Sequence, residues 1–192
     1  MIKTLLLAIL VVVSLPSVSA ETDSTATAPK QTKGKQSPER AEMSRLIKES
    51  LGLAVKTISG NDGGIYPYGM TMDQSGKISL KGYSGKKAKA PPQDKWVKNL
   101  SHSLRQATSS NPDIVAASIT RLRQVKNDQG EQVPGVWILA DHRKNQPWVA
   151  FFPLVKNDSG KHEVGDPAYQ ATKQWLFSEN SEESKSAASS EN

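Results

Sequence analysis

The chain of 192 residues contains no cysteine, only 3 histidines, and no apolar run beyond its first twenty positions that could cross a bilayer. The missing thiols exclude disulfides, a lipid anchor on cysteine and soft-metal sites, so stability must come from an ordinary hydrophobic core. His102, His142 and His162 stand far apart, with no H-E-x-x-H or His/Cys cluster to bring two ligands onto one face, and no metal site is expected. Nucleotide fingerprints are also missing. In "GYSGKK" the phosphate-loop pattern would need glycine where Leu80 stands, and no Ser or Thr follows the lysine. No serine sits in a Gly-x-Ser-x-Gly elbow. We therefore assign no cofactor and no catalytic residue from sequence.

What is present begins with "MIKTLLLAILVVVSLPSVSA", a lysine, an apolar stretch and small residues at Val18 and Ala20. This is the layout of a secretory signal peptide cleaved after Ala20, and it points to a periplasmic or secreted protein. The net charge of +6 is unevenly spread, with "APKQTKGKQSPER" basic and "SENSEESKSAASSEN" acidic. Both segments lack the large apolar groups needed to offset ordering entropy. Residues 21–36 are thus expected to be a flexible basic linker and 179–192 a disordered acidic tail, with one domain over 37–178.

Within that domain Ser37 and Pro38 open a helix, and Met43, Leu46, Ile47 and Leu51 recur at helical spacing before Gly52 stops it. Tyr66, Tyr68, Met70 and Met72 alternate along a strand, "DQSG" turns the chain, and Ile78 and Leu80 return. Pro91 and Pro92 open a second helix bearing Trp96, Val97, Leu100 and Leu104. Three strands follow, separated by "NDQGEQVPG" and "KNQP"; the later ones are apolar on both parities and so need cover on both faces. Asp166 and Pro167 then predict a last helix, with Ala168, Ala171, Thr172, Trp175 and Leu176 on one side.

The expected fold is α+β: a five-stranded antiparallel sheet with helices on both faces, in the order α-β-β-α-β-β-β-α. That element order resembles the topology of profilin-like and roadblock-like domains. The resemblance lies in element order alone, and such folds host many functions.

The candidate binding residues are Tyr66, Tyr68, Lys86, Lys87, Lys89, Asp141, Arg143 and Trp148. Tyr and Trp anchor protein interfaces, and the lysines form a cationic loop that could meet a phosphate, a lipid head group or an acidic protein. In "ILADHRKNQPWV", an extended strand would send Asp141 and His142 to opposite faces, while Asp141 and Arg143 share one. A dyad requires the strand to end first. Asn99 and Asn157 head glycosylation sequons that matter only in a eukaryotic secretory pathway.

Three functions follow from these residues. The first is an exported, non-enzymatic module that recognises a protein partner, as an inhibitor, immunity or envelope accessory protein does. The second is electrostatic attachment to anionic envelope polymers or lipid head groups, and the third is a hydrolase using Asp141 and His142. Nucleic acid is not an expected partner, because the basic residues form no aromatic-interleaved stripe. No transmembrane segment is expected in the mature chain.

Overall fold

The computed structural model describes residues 36–60, 64–85, 90–158, 162–173 and 175–177. The expected signal peptide, the linker up to residue 35, the acidic tail and Lys86, Lys87 and Lys89 lie outside the described residues.

Helix α1 spans Pro38–Gly60, with Pro38 at its first position and Glu39 in its first turn. It does not stop at Gly52. Leu53, Ala54 and Ile58 continue the apolar stripe, and Ala54 and Ile58 are buried. Their burial outweighs the cost of about 1 kcal/mol for one exposed glycine in a helix.

The strands are β1 (Tyr68–Asp73), β2 (Ile78–Lys81), β3 (Ile114–Lys126), β4 (Gln132–His142), β5 (Asn145–Lys156), β6 (His162–Val164) and β7 (Ala168–Ala171), with α2 (Gln93–Ser110) between β2 and β3. They form one antiparallel sheet in the order β2-β1-β3-β4-β5-β6, with β7 also on β5. β6 pairs with Leu154–Lys156 and β7 with Trp148–Phe151, so together they make one interrupted edge.

The sheet thus has seven strands rather than five, and the predicted last helix is replaced by β7 and an irregular segment. The reason is tertiary. A helix of about a dozen residues is marginal alone, whereas the outer edge of β5 offers ladder partners to residues 168–171. Tyr169 there fits edge-on between the rings of Trp148 and Phe152.

Two tight turns follow one chemistry. Asp73 Oδ1 accepts the N–H groups of Ser75 and Lys77, and Asn127 Oδ1 those of Gln129 and Glu131. Each turn closes on a glycine in the left-handed region, Gly76 at φ 79° and Gly130 at φ 80°.

The core divides by strand parity. Leu46, Ile47, Ala54 and Ile58 of α1 cluster with Met70, Met72, Ala116, Val136, Ile138, Ala140, Ala150 and Phe152. Leu100 and Leu104 of α2 cluster with Ala117, Ile119, Leu139 and Leu176. Helix α2 lies close to β1: a Cβ on Gly69 would stand 2.7 Å from a Leu104 methyl and 3.0 Å from the Ser118 carbonyl. No helix among the described residues is long and apolar enough to cross a membrane.

Candidate functional site

The β4–β5 turn keeps Asp141 and His142 apart. The Asp141 side chain, fully buried, faces the segment after β7 and accepts the backbone N–H groups of Trp175 (2.8 Å) and Leu176 (2.6 Å) on Oδ2. Its Oδ1 is buried without a hydrogen-bond partner. Burial raises its pKa, and the backbone N–H donors offset that only in part.

His142 points the other way, to α1. Its Nδ1 accepts the Lys144 N–H at 3.0 Å, which leaves the neutral ring's proton on Nε2, 2.8 Å from Glu42 Oε2. The two side chains therefore make no dyad.

Arg143 makes no ion pair with Asp141. Its guanidinium donates to the carbonyls of Thr108 (2.7 Å), Ile114 (2.9 Å) and Asn111 (3.3 Å) and lies 5.0 Å from the centre of the Phe177 ring. Helix α2 has no basic residue in its own last turn. Arg143 supplies that cation from the hairpin, where it complements the negative end of the helix dipole. Beside it opens a shallow pocket of about 980 Å³ between the turn and the end of β7, with Lys144 and Lys173 on its rim.

The aromatic candidates fall in three different places. Tyr68 is a core residue, 6% exposed, with its hydroxyl donating to the Ser50 carbonyl. Tyr66 precedes β1, and its ring packs with Tyr83 and Trp96 while its hydroxyl donates to the Pro91 carbonyl. Trp96 Nε1 donates to the Pro67 carbonyl at 2.7 Å, so this trio fastens the β2–α2 connection to the sheet. Trp148 lies on the α1 side, with the Arg40 guanidinium 5.1 Å from its ring centre.

The strongest surface feature was not singled out from sequence. On β3, Arg121 and Arg123 share a face, opposite Trp137 and Gly135 of β4; on β5, Phe151 and Pro153 complete these two rows. The guanidinium carbons lie 5.2 Å (Arg121) and 5.7 Å (Arg123) from the centre of the Trp137 ring. Phe151 covers Gly135 so closely that a Cβ there would collide with its ring.

Helix α2 packs against β1 and β3, and Trp137, Val149 and Phe151 remain partly exposed beyond it. Among the described residues Arg121 meets one carboxylate, Asp94, at 3.5 Å, and that side chain is 95% exposed. Its Nε is buried without a partner, and burial followed by the proximity of Arg123 lowers its pKa. The available signal was the Arg-x-Arg alternation in β3 together with Trp137 and Phe151 on matching parities.

The arrangement presents partly exposed aromatic surface beside two cations. No group of three or more potential metal ligands exists among the described residues. Compared with known proteins, the chain matches no family model, no curated protein and no solved structure.

Proposed function

We propose that the chain is an exported, non-enzymatic binding module, a sheet with a helix on each face, that recognises a protein partner. The observation that carries this reading is the face around Trp137, where Trp137, Val149 and Phe151 stay partly exposed beside Arg121 and Arg123. Aromatic and arginine side chains are the commonest anchors of protein interfaces. The signal-peptide layout of residues 1–20 supports a periplasmic site of action.

The hydrolase reading lacks the convergence it requires, because Asp141 and His142 serve different partners on opposite sides of the sheet. Attachment to an anionic polymer is a second reading, favoured by the unbalanced charge of Arg121 and Arg123. It is separable by salt, since exposed charge contacts are screened within about 8–10 Å at ordinary ionic strength.

The test is enrichment from an envelope extract on the mature chain, followed by titration of the purified retained protein against wild type, Arg123→Gln and Phe151→Ala. The protein-binding reading expects one stoichiometric protein that persists in high salt and loses at least tenfold in affinity with Phe151→Ala. Retention abolished by salt and insensitive to Phe151 would replace it with the polymer reading.

A further inference from the structure

We propose that the arginine-flanked Trp137 face is a docking surface for the chain's own acidic segment, residues 178–192, which would compete there with any outside ligand. The contact lies within one chain and does not depend on the protein-binding reading.

The two surfaces are complementary in charge. Residues 178–192 carry Glu179, Glu182, Glu183 and Glu191 against the single Lys185. The face offers Arg121 and Arg123, and among the described residues Arg121 meets one carboxylate, the solvent-exposed Asp94. Both guanidinium groups lie close to the centre of one ring, 5.2 Å for Arg121 and 5.7 Å for Arg123, so added carboxylates there would offset two like charges held close together.

The segment also starts close to the face. Leu176 is buried in the cluster formed by Ala117, Ile119 and Leu139, and Trp137 packs against that same cluster. The chain therefore reaches Phe177 on the same side of the sheet as the arginine pair. Asp141, which holds the backbone of Trp175 and Leu176, stands opposite Ala117, and Trp137 stands opposite Arg121. The four-residue step along β4 from Asp141 to Trp137 measures roughly 13 Å. Glu182 and Glu183 follow Phe177 by five and six residues, an extended reach of roughly 17–22 Å. The Arg121 row thus lies within chain reach of Glu182 and Glu183, and the Arg123 row, six residues from Asp141 along β4 at roughly 20 Å, lies near the limit of that reach.

A short tether gives an effective concentration of roughly millimolar, so a contact too weak to form between separate molecules can be substantially occupied within one. Such a contact consists of exposed ion pairs and must weaken with salt.

The absence of cysteine makes the test clean. A single Ser184→Cys substitution in the full mature chain carries a nitroxide label, and nuclear magnetic resonance reads the resulting line broadening at the Trp137 indole N–H and the Gly135 amide. The expected result is broadening at these two groups at low salt, reduced severalfold by high salt and by Glu182→Gln with Glu183→Gln. An unfolding midpoint of the glutamine variants equal to that of the wild type separates lost docking from misfolding. Broadening unchanged by salt and by both glutamines would overturn the proposal, as would broadening centred on Lys144 and Lys173. Because no partner is added, the result stands whether or not the protein-binding reading holds.

Discussion

The carboxylate of Asp141 in β4 accepts the backbone N–H of Leu176, 35 residues further along the chain, at 2.6 Å. It accepts the Trp175 N–H as well, and Leu176 in turn is fully buried beneath α2, its carbonyl accepting the Thr108 hydroxyl. One buried acid thus fixes the segment after β7 onto the sheet. Asp141→Ala should release residues 175–177, leave buried donors unmatched and cost roughly 1–3 kcal/mol. Denaturant unfolding measures the loss, and hydrogen exchange at the Leu176 amide shows where it occurs.

Asp141 also makes a pH prediction whose sign is fixed by its surroundings. Burial raises its folded-state pKa above the ordinary carboxylate value. The charged form is then the costly one. The penalty is absent below the unfolded pKa, grows as pH rises from there toward the folded pKa, and is complete above it. Wild type should lose stability relative to Asp141→Asn as pH rises through that interval, and the difference should be constant at higher pH. A stability difference that grew in the opposite direction would show that the N–H donors, not burial, dominate.

Arg143 allows a test of helix capping across the fold. Because it donates to the Thr108 and Asn111 carbonyls at the end of α2, Arg143→Met should fray that end and cost about 1–2 kcal/mol. Amide exchange should rise in residues 107–111 and stay unchanged in α1. Uniform change in both helices would mean that the cation stabilises the hairpin rather than the helix.

His142 links the same hairpin to α1 through Glu42. Asparagine can reproduce the acceptor at Nδ1 but not the reach of Nε2. His142→Asn should therefore keep the bond from the Lys144 N–H while losing the α1 contact, and His142→Ala should lose both and be less stable by about 0.5–1.5 kcal/mol. Thermal unfolding of the two variants gives the comparison.

Local features of this fold were legible in sequence because their causes are local. The turn at Asp73–Gly76 and the turn at Asn127–Gly130 both follow from an Asp or Asn that accepts backbone N–H groups and a glycine free to take positive φ. The divergence of Asp141 and His142 follows from strand alternation alone. Features with remote causes were not legible. Residues 168–171 carry a helix-like pattern but pair with β5, whose open edge is invisible until the sheet order is known. Gly52 reads as a helix stop, yet burial of Ala54 and Ile58 against the sheet carries α1 past it. The Arg121–Trp137–Phe151 row needs two strand registers at once, and a one-residue slip in either would scatter it across both faces.

Gly135 gives the sharpest test of that row. It sits opposite Arg123 on one side and Pro153 on the other, beneath the Phe151 ring. A Cβ at this position would meet the ring and would lie 2.5 Å from the Phe152 carbonyl oxygen, which belongs to the backbone and cannot rotate away. Gly135→Ala must therefore shift β5 or turn Phe151 out of its place, at a cost of roughly 1–3 kcal/mol. Phe151→Ala removes the ring but leaves the carbonyl, so combining the two substitutions should recover only part of the loss caused by Gly135→Ala. Full recovery would place the strain in the ring alone. A double-mutant cycle by denaturant unfolding separates these cases, and the same variants report on binding, since Gly135→Ala disturbs the aromatic surface without removing a charge.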